Sequence, residues 1–69
     1  MANLAKKLSK RLKQLRGNQT QREFARRLNI DQGTLNRLEQ ATHNITLKTL
    51  QNICDRLKCS IGWLFMESD

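Results

Sequence analysis

The stretch from Thr20 to Glu39, TQREFARRLNIDQGTLNRLE, reads as two short helices joined by a tight turn. Phe24, Ala25 and Leu28 recur at i, i+1 and i+4 on the first helix, and Leu35 and Leu38 at i and i+3 on the second. Ile30 sits in the turn, where an apolar side chain plugs the gap between them. Ala25 is small, which lets two steeply crossing helices approach closely. Gln32, Thr34, Asn36 and Arg37 then fall on the outward face of the second helix. This is the arrangement that presents one helix to the major groove of DNA, with side chains able to read base edges.

The rest of the chain reads as helix too. The 69 residues make one small domain, 1–69, with the helix pair as its core at 20–40. Proline is absent, aromatics are few and leucine recurs at helical spacing, so an all-α domain is expected. A first helix is expected over about residues 3–16, with Leu4, Leu8, Leu12 and Leu15 on one stripe and cations on the other faces. Gly17 and Asn18 stop it. Thr20 and Glu23 form a capping-box pattern for the second helix. Asn29 ends that helix, and Asp31 caps a third over about 32–40. A loop over 41–45 follows. Thr46 caps a fourth helix whose buried face is expected to carry Leu47, Leu50, Ile53, Cys54 and Leu57. Ser60 caps a short apolar fifth segment over about 61–66.

Charge is distributed unevenly. Residues 1–30 hold nine basic side chains against Glu23 alone, while residues 31–69 hold four basic against five acidic. The whole chain carries +7, and nearly all the excess lies in the first part. Such asymmetry implies an anionic partner approached from one side, and with the helix pair that partner is nucleic acid. There is no run of about 18 apolar residues, so no membrane span is expected. The basic N-terminus lacks the apolar region of a signal peptide, and a cytoplasmic, nucleoid-associated protein is expected. Cys54 and Cys59 with the single His43 make no metal-ligand set, so two reduced thiols, no metal and no cofactor are expected. An enzyme lacks parts: there is no Gly-rich phosphate loop and no nucleophile with a base.

These segments together resemble the phage-repressor and Cro-like helix-turn-helix family, the XRE family, over about residues 8–65. LKQLR (12–16) is similar to the end of the family's first helix, TQREFARRL (20–28) to its capped second helix and IDQGTLNRLE (30–39) to its turn and recognition helix. TLKTLQNICDRLKCSIGWLF (46–65) is similar to its fourth and fifth helices. The resemblance implies a five-helix lambda-repressor-like DNA-binding domain, prokaryotic or phage-encoded. It departs from the family in a short 16–21 loop, in Asn29 and Ala41 where glycine is frequent, and in Ile45 where proline is frequent.

The resemblance and the side-chain chemistry together give candidate sites. Gln32, Gly33, Asn36 and Arg37 are candidates for base contacts: arginine forks to guanine and glutamine to adenine, Asn36 is either a base reader or a backbone contact, and Gly33 either lets the backbone come close or is neutral. Gln21, Arg22, Thr34, Thr42, His43 and Asn44 are candidates for the DNA backbone, Gln21 by the family match. Arg16 and Glu39 are expected as a structural ion pair. Ile61, Trp63, Phe65 and Met66 exceed what so short a segment buries, and a homodimer interface is expected there. A dimer places two recognition helices about 34 Å apart on a pseudo-palindromic double-stranded operator. The expected function is transcriptional regulation, as a repressor. The alternative is an antitoxin that binds a protein partner and its own promoter, and no room is expected for a separate sensor domain. Binding to a membrane surface through the first helix is disfavoured, because its stripe has no aromatic anchor and its leucines are needed by the core.

Overall fold

The leucine stripe of the first segment needs partners, and the other four helices supply them. A computed structural model describes residues 4–42 and 45–66. His43 and Asn44 lie outside the described residues, and so does Asn3, the expected start of the first helix. The described helices are α1 (Leu4–Arg16), α2 (Gln21–Leu28), α3 (Gln32–Glu39), α4 (Leu47–Leu57) and α5 (Ile61–Leu64). α3 packs on α1 and α2, α4 on α2, and α5 on α4. All five contribute to one core, in which Leu12, Phe24, Leu28, Leu35, Ile53 and Leu64 are fully buried. Ala25 is buried where α2 and α3 meet, and Ile30 packs against the core from the turn.

Side-chain caps start four helices. Thr20 Oγ1 accepts from the Glu23 N–H at 3.0 Å, and Glu23 Oε1 accepts from the Thr20 N–H at 3.2 Å, completing the expected capping box. Asp31, Thr46 and Ser60 each accept from the N–H three residues on. Asn52 Nδ2 donates to the Leu28 carbonyl at 3.2 Å, tying α4 to the end of α2.

The ends of α1 to α4 are closed by left-handed residues. Gly17 has φ +54° and closes α1. Asn29, Ala41 and Lys58 have φ of 59°, 59° and 55°. Around each, two backbone N–H groups reach back to the last turn, as in Ala41 to Leu38 and Thr42 to Arg37. Asparagine accepts this conformation, but alanine and lysine are strained by their Cβ. Ala41→Gly and Lys58→Gly are each expected to stabilise the domain by about 1 kcal/mol, measured by urea unfolding. A loss of stability at either site contradicts the assignment of strain.

Two expectations are corrected. Leu47 is 80 % exposed rather than buried, because it is the first residue of α4 and stands beyond the core edge. Leu4 is 59 % exposed for the same reason at the start of α1. α5 ends at Leu64 rather than near Met66, since the Phe65 and Met66 N–H groups close its last turn on Ile61 and Trp63. Cys54 is buried and Cys59 half-buried, and neither is in a disulfide. Burial pushes the Cys54 thiol up to about 11, which leaves it inert at neutral pH. No group of side chains able to hold a metal occurs among the described residues.

Candidate nucleic-acid interface

α3 is held by Leu35, Leu38 and Glu39, which point inward. That leaves Gln32, Gly33, Arg37 and Gln40 exposed, with Thr34 and Asn36 half-buried beside them. The four sequence-predicted base readers therefore share the face of α3 that the core does not use.

Cations border this face at both ends. Arg22 and Arg26 of α2 line an open hollow of about 760 Å³ together with Gln32 and Thr34. Lys6, Lys10 and Lys13 of α1 line a second hollow of about 460 Å³ together with Gln40. The sequence reading gave these three lysines no individual role. The spacing could have found them, because positions 6, 10 and 13 share one face of a helix. Arg11 is different. Its guanidinium lies 4.4 Å from the Trp63 ring centroid, and Nη2 donates to the Met66 carbonyl at 2.6 Å. It serves the α1–α5 contact.

Several expected phosphate donors are engaged internally. The Thr34 hydroxyl donates to Asp31 Oδ1 at 2.7 Å. The Thr42 N–H and hydroxyl both donate to the Arg37 carbonyl, at 3.0 and 3.3 Å. Gln21 Nε2 donates to Asn36 Oδ1 at 3.2 Å and to Glu39 Oε1 at 3.3 Å. Arg22 remains exposed on α2. A Cβ on Gly33 would meet Asp31 Oδ2 at 3.3 Å, so the glycine spares the α3 cap a tight contact.

The expected ion pair is present. Arg16 Nε and Nη2 donate to Glu39 Oε2 and Oε1 at 2.9 and 3.1 Å, a two-pronged pair. Glu39 is 4 % exposed and the Arg16 side chain 27 %. The Ser9 hydroxyl donates to the Glu39 backbone carbonyl and joins α1 to the end of α3.

The caps carry the pH dependence of this unit. The Thr34 hydroxyl and backbone N–H hold the Asp31 carboxyl below its ordinary value. The Thr20 backbone N–H, then its hydroxyl, do the same for Glu23. A carboxyl depressed in the folded state binds fewer protons there than in the unfolded state. Its contribution is present above the ordinary carboxylate value and is lost as pH falls through the folded value. The α2–α3 unit is therefore expected to weaken at acid pH. Asp31→Asn keeps an acceptor for the cap without the titration. The expected result is a smaller drop in urea midpoint between about pH 7 and pH 3 than in the parent. An unchanged drop shows that Asp31 does not contribute to acid sensitivity.

A short capped helix presents polar side chains from one face, crosses a second helix over a small residue and lies between two groups of cations. Fold and surface define a helix-turn-helix DNA-binding domain of the transcription-regulator class. A family model described as helix-turn-helix matches residues 11–64. The chain belongs to this family, in its phage-repressor and Cro-like (XRE) form. No curated protein and no solved structure matches the chain at a significant level. Among the described residues no helix is long and apolar enough to cross a membrane.

Proposed function

We propose that the protein is a sequence-specific repressor that occupies a pseudo-palindromic double-stranded operator in a prokaryotic cytoplasm, at the nucleoid. The observation that carries this reading is the exposed polar face of α3 between the Arg22–Arg26 and Lys6–Lys10–Lys13 groups. Gln32 and Arg37 contact base edges, and Gly33 brings the backbone near them. Arg22 and Arg26 contact phosphates, with His43 and Asn44 alongside; Thr34 and Thr42, whose hydroxyls donate to Asp31 and to the Arg37 carbonyl, join them only by giving up those bonds. Selection of bound sequences from a random duplex pool tests this reading. Arg37→Ala is expected to relax base choice at one position in each half-site, at a cost of about 1–3 kcal/mol. A uniform loss across all sequences assigns Arg37 to the DNA backbone instead.

The second copy binds through the α5 end. Ile61, Trp63 and Met66 are exposed there, while Phe65 is half-buried against the core. Ile61 and Phe65 also line an apolar groove of about 420 Å³ with Leu4, Leu8, Ile45 and Leu50. Trp63→Ala is expected to lower occupancy of a two-half-site operator more than binding to one half-site. Equal losses on both DNAs, with the fold intact and the parent a monomer on DNA by ultracentrifugation, remove the dimer. The same apolar groove supports a second reading, an antitoxin whose groove is covered by a protein partner. A chain that stays monomeric on its operator favours that reading.

A further inference from the structure

The buried end of α3 sets the chemistry of its outer face. Glu39 is a carboxylate, and a carboxylate only accepts hydrogen bonds. Oε1 of Glu39 faces the Gln21 side chain at 3.3 Å. The Gln21 amide must therefore turn its NH₂ group toward Glu39. That same NH₂ reaches Asn36 at 3.2 Å, so Asn36 must present Oδ1 to it. Gln40 Nε2 adds a second, weaker donor to that oxygen at 3.4 Å. Amide orientations are often ambiguous because oxygen and nitrogen are alike in size. Here Arg16 and Glu39 remove the ambiguity, since the arginine anchors the acceptor and the acceptor orders both amides in turn.

Two consequences follow for the exposed side. Nε2 of Gln21 is engaged with Asn36 and Glu39 inside the protein, so it meets a phosphate only by giving up one of these bonds. Asn36 has its oxygen occupied and its Nδ2 donors unused by Gln21 and Gln40. An asparagine forks to adenine only when it offers an oxygen to N6 and a nitrogen to N7 together. An asparagine that offers two donors matches guanine, which presents O6 and N7 as adjacent acceptors.

Resting on the DNA-binding reading above, we propose that Glu39 and Gln21 fix Asn36 as a donor-only base reader that selects guanine in the major groove. Gln21 is thus a positioning residue rather than a phosphate contact. The relay runs from α3's buried carboxylate through α2 and back to α3's exposed face, so the two helices share one recognition unit.

Selection of bound sequences by the parent, Gln21→Leu and Asn36→Asp tests this. The parent is expected to prefer guanine over adenine by about tenfold at one position in each half-site. Gln21→Leu frees the Asn36 amide to turn, and the preference is expected to fall below about threefold while binding persists. Asn36→Asp keeps an oxygen for Gln21 and Gln40 but replaces the outward donor by an acceptor. The preference at that position is then expected to move to cytosine, whose N4 amino group donates. Thermal melting of each variant by circular dichroism confirms that it is folded. Adenine as the parent's choice at the Asn36-dependent position overturns the proposal. So does a Gln21→Leu profile that keeps the guanine preference and loses only overall affinity. Absence of duplex binding by the folded parent overturns the DNA-binding reading and this proposal with it.

Discussion

Raising salt from about 50 to 200 mM is expected to weaken duplex binding about five-hundredfold per protomer. Five cations flank the exposed face of α3: Lys6, Lys10, Lys13, Arg22 and Arg26. If each neutralises one phosphate, the affinity falls with roughly the 4.5th power of salt concentration, because each contact releases condensed counterions. Arg11 is left out of the sum because it is committed to Trp63 and Met66. Arg11→Ala should therefore leave the slope nearly unchanged, whereas Arg22→Ala or Arg26→Ala should lower it by about one and weaken all sequences alike. Fluorescence anisotropy against salt measures each slope. A flat salt response by the parent would count against the whole DNA-binding reading, and a full unit lost on removing Arg11 would mean that it leaves α5 to meet DNA.

Replacing Arg16 by methionine is expected to destabilise the domain by about 3 kcal/mol. The substitution leaves the Glu39 carboxylate, 4 % exposed, without its two-pronged partner. A chain of this length has roughly 3–10 kcal/mol in all, so the variant should be partly unfolded at body temperature. The double variant Arg16→Met, Glu39→Met removes both charges and should recover most of the loss, since apolar replacement of a buried pair is often neutral. Urea unfolding of the two single variants and the double variant gives the coupling directly. A cost under about 0.5 kcal/mol for Arg16→Met would place the pair with ordinary surface ion pairs.

The elements most legible in the sequence were those with local chemistry. Thr20 with Glu23, Asp31, Thr46 and Ser60 are caps whose partners lie three residues away, and all four sit where the spacing puts them. The helix pair was legible because Phe24, Ala25, Leu28, Leu35 and Leu38 share the helical period and all are buried. Leu47 misled because periodicity says which face a residue shares but not where the neighbouring helix stops. Arg11 was indistinguishable from its neighbouring cations in sequence, since only the tertiary fold brings Trp63 and Met66 to it. The Gln21–Asn36 bond spans two helices and is read only when both are placed. Family resemblance implies a phosphate role for Gln21, and its bond to the buried Glu39 carboxylate is invisible until the fold is in place.

α3, the proposed reading helix, is eight residues long, and an isolated helix of that length is marginal in water. Leu35 and Leu38 hold it in shape from within the core. Under the proposed reading, discrimination between base pairs is therefore a property that melts. The cations survive unfolding, because lysine and arginine keep their charge in any conformation. Heated past its transition, the chain is then expected to be a short polycation that still binds duplex but without choosing. Selectivity and adhesion would thus have different thermal lifetimes in one molecule.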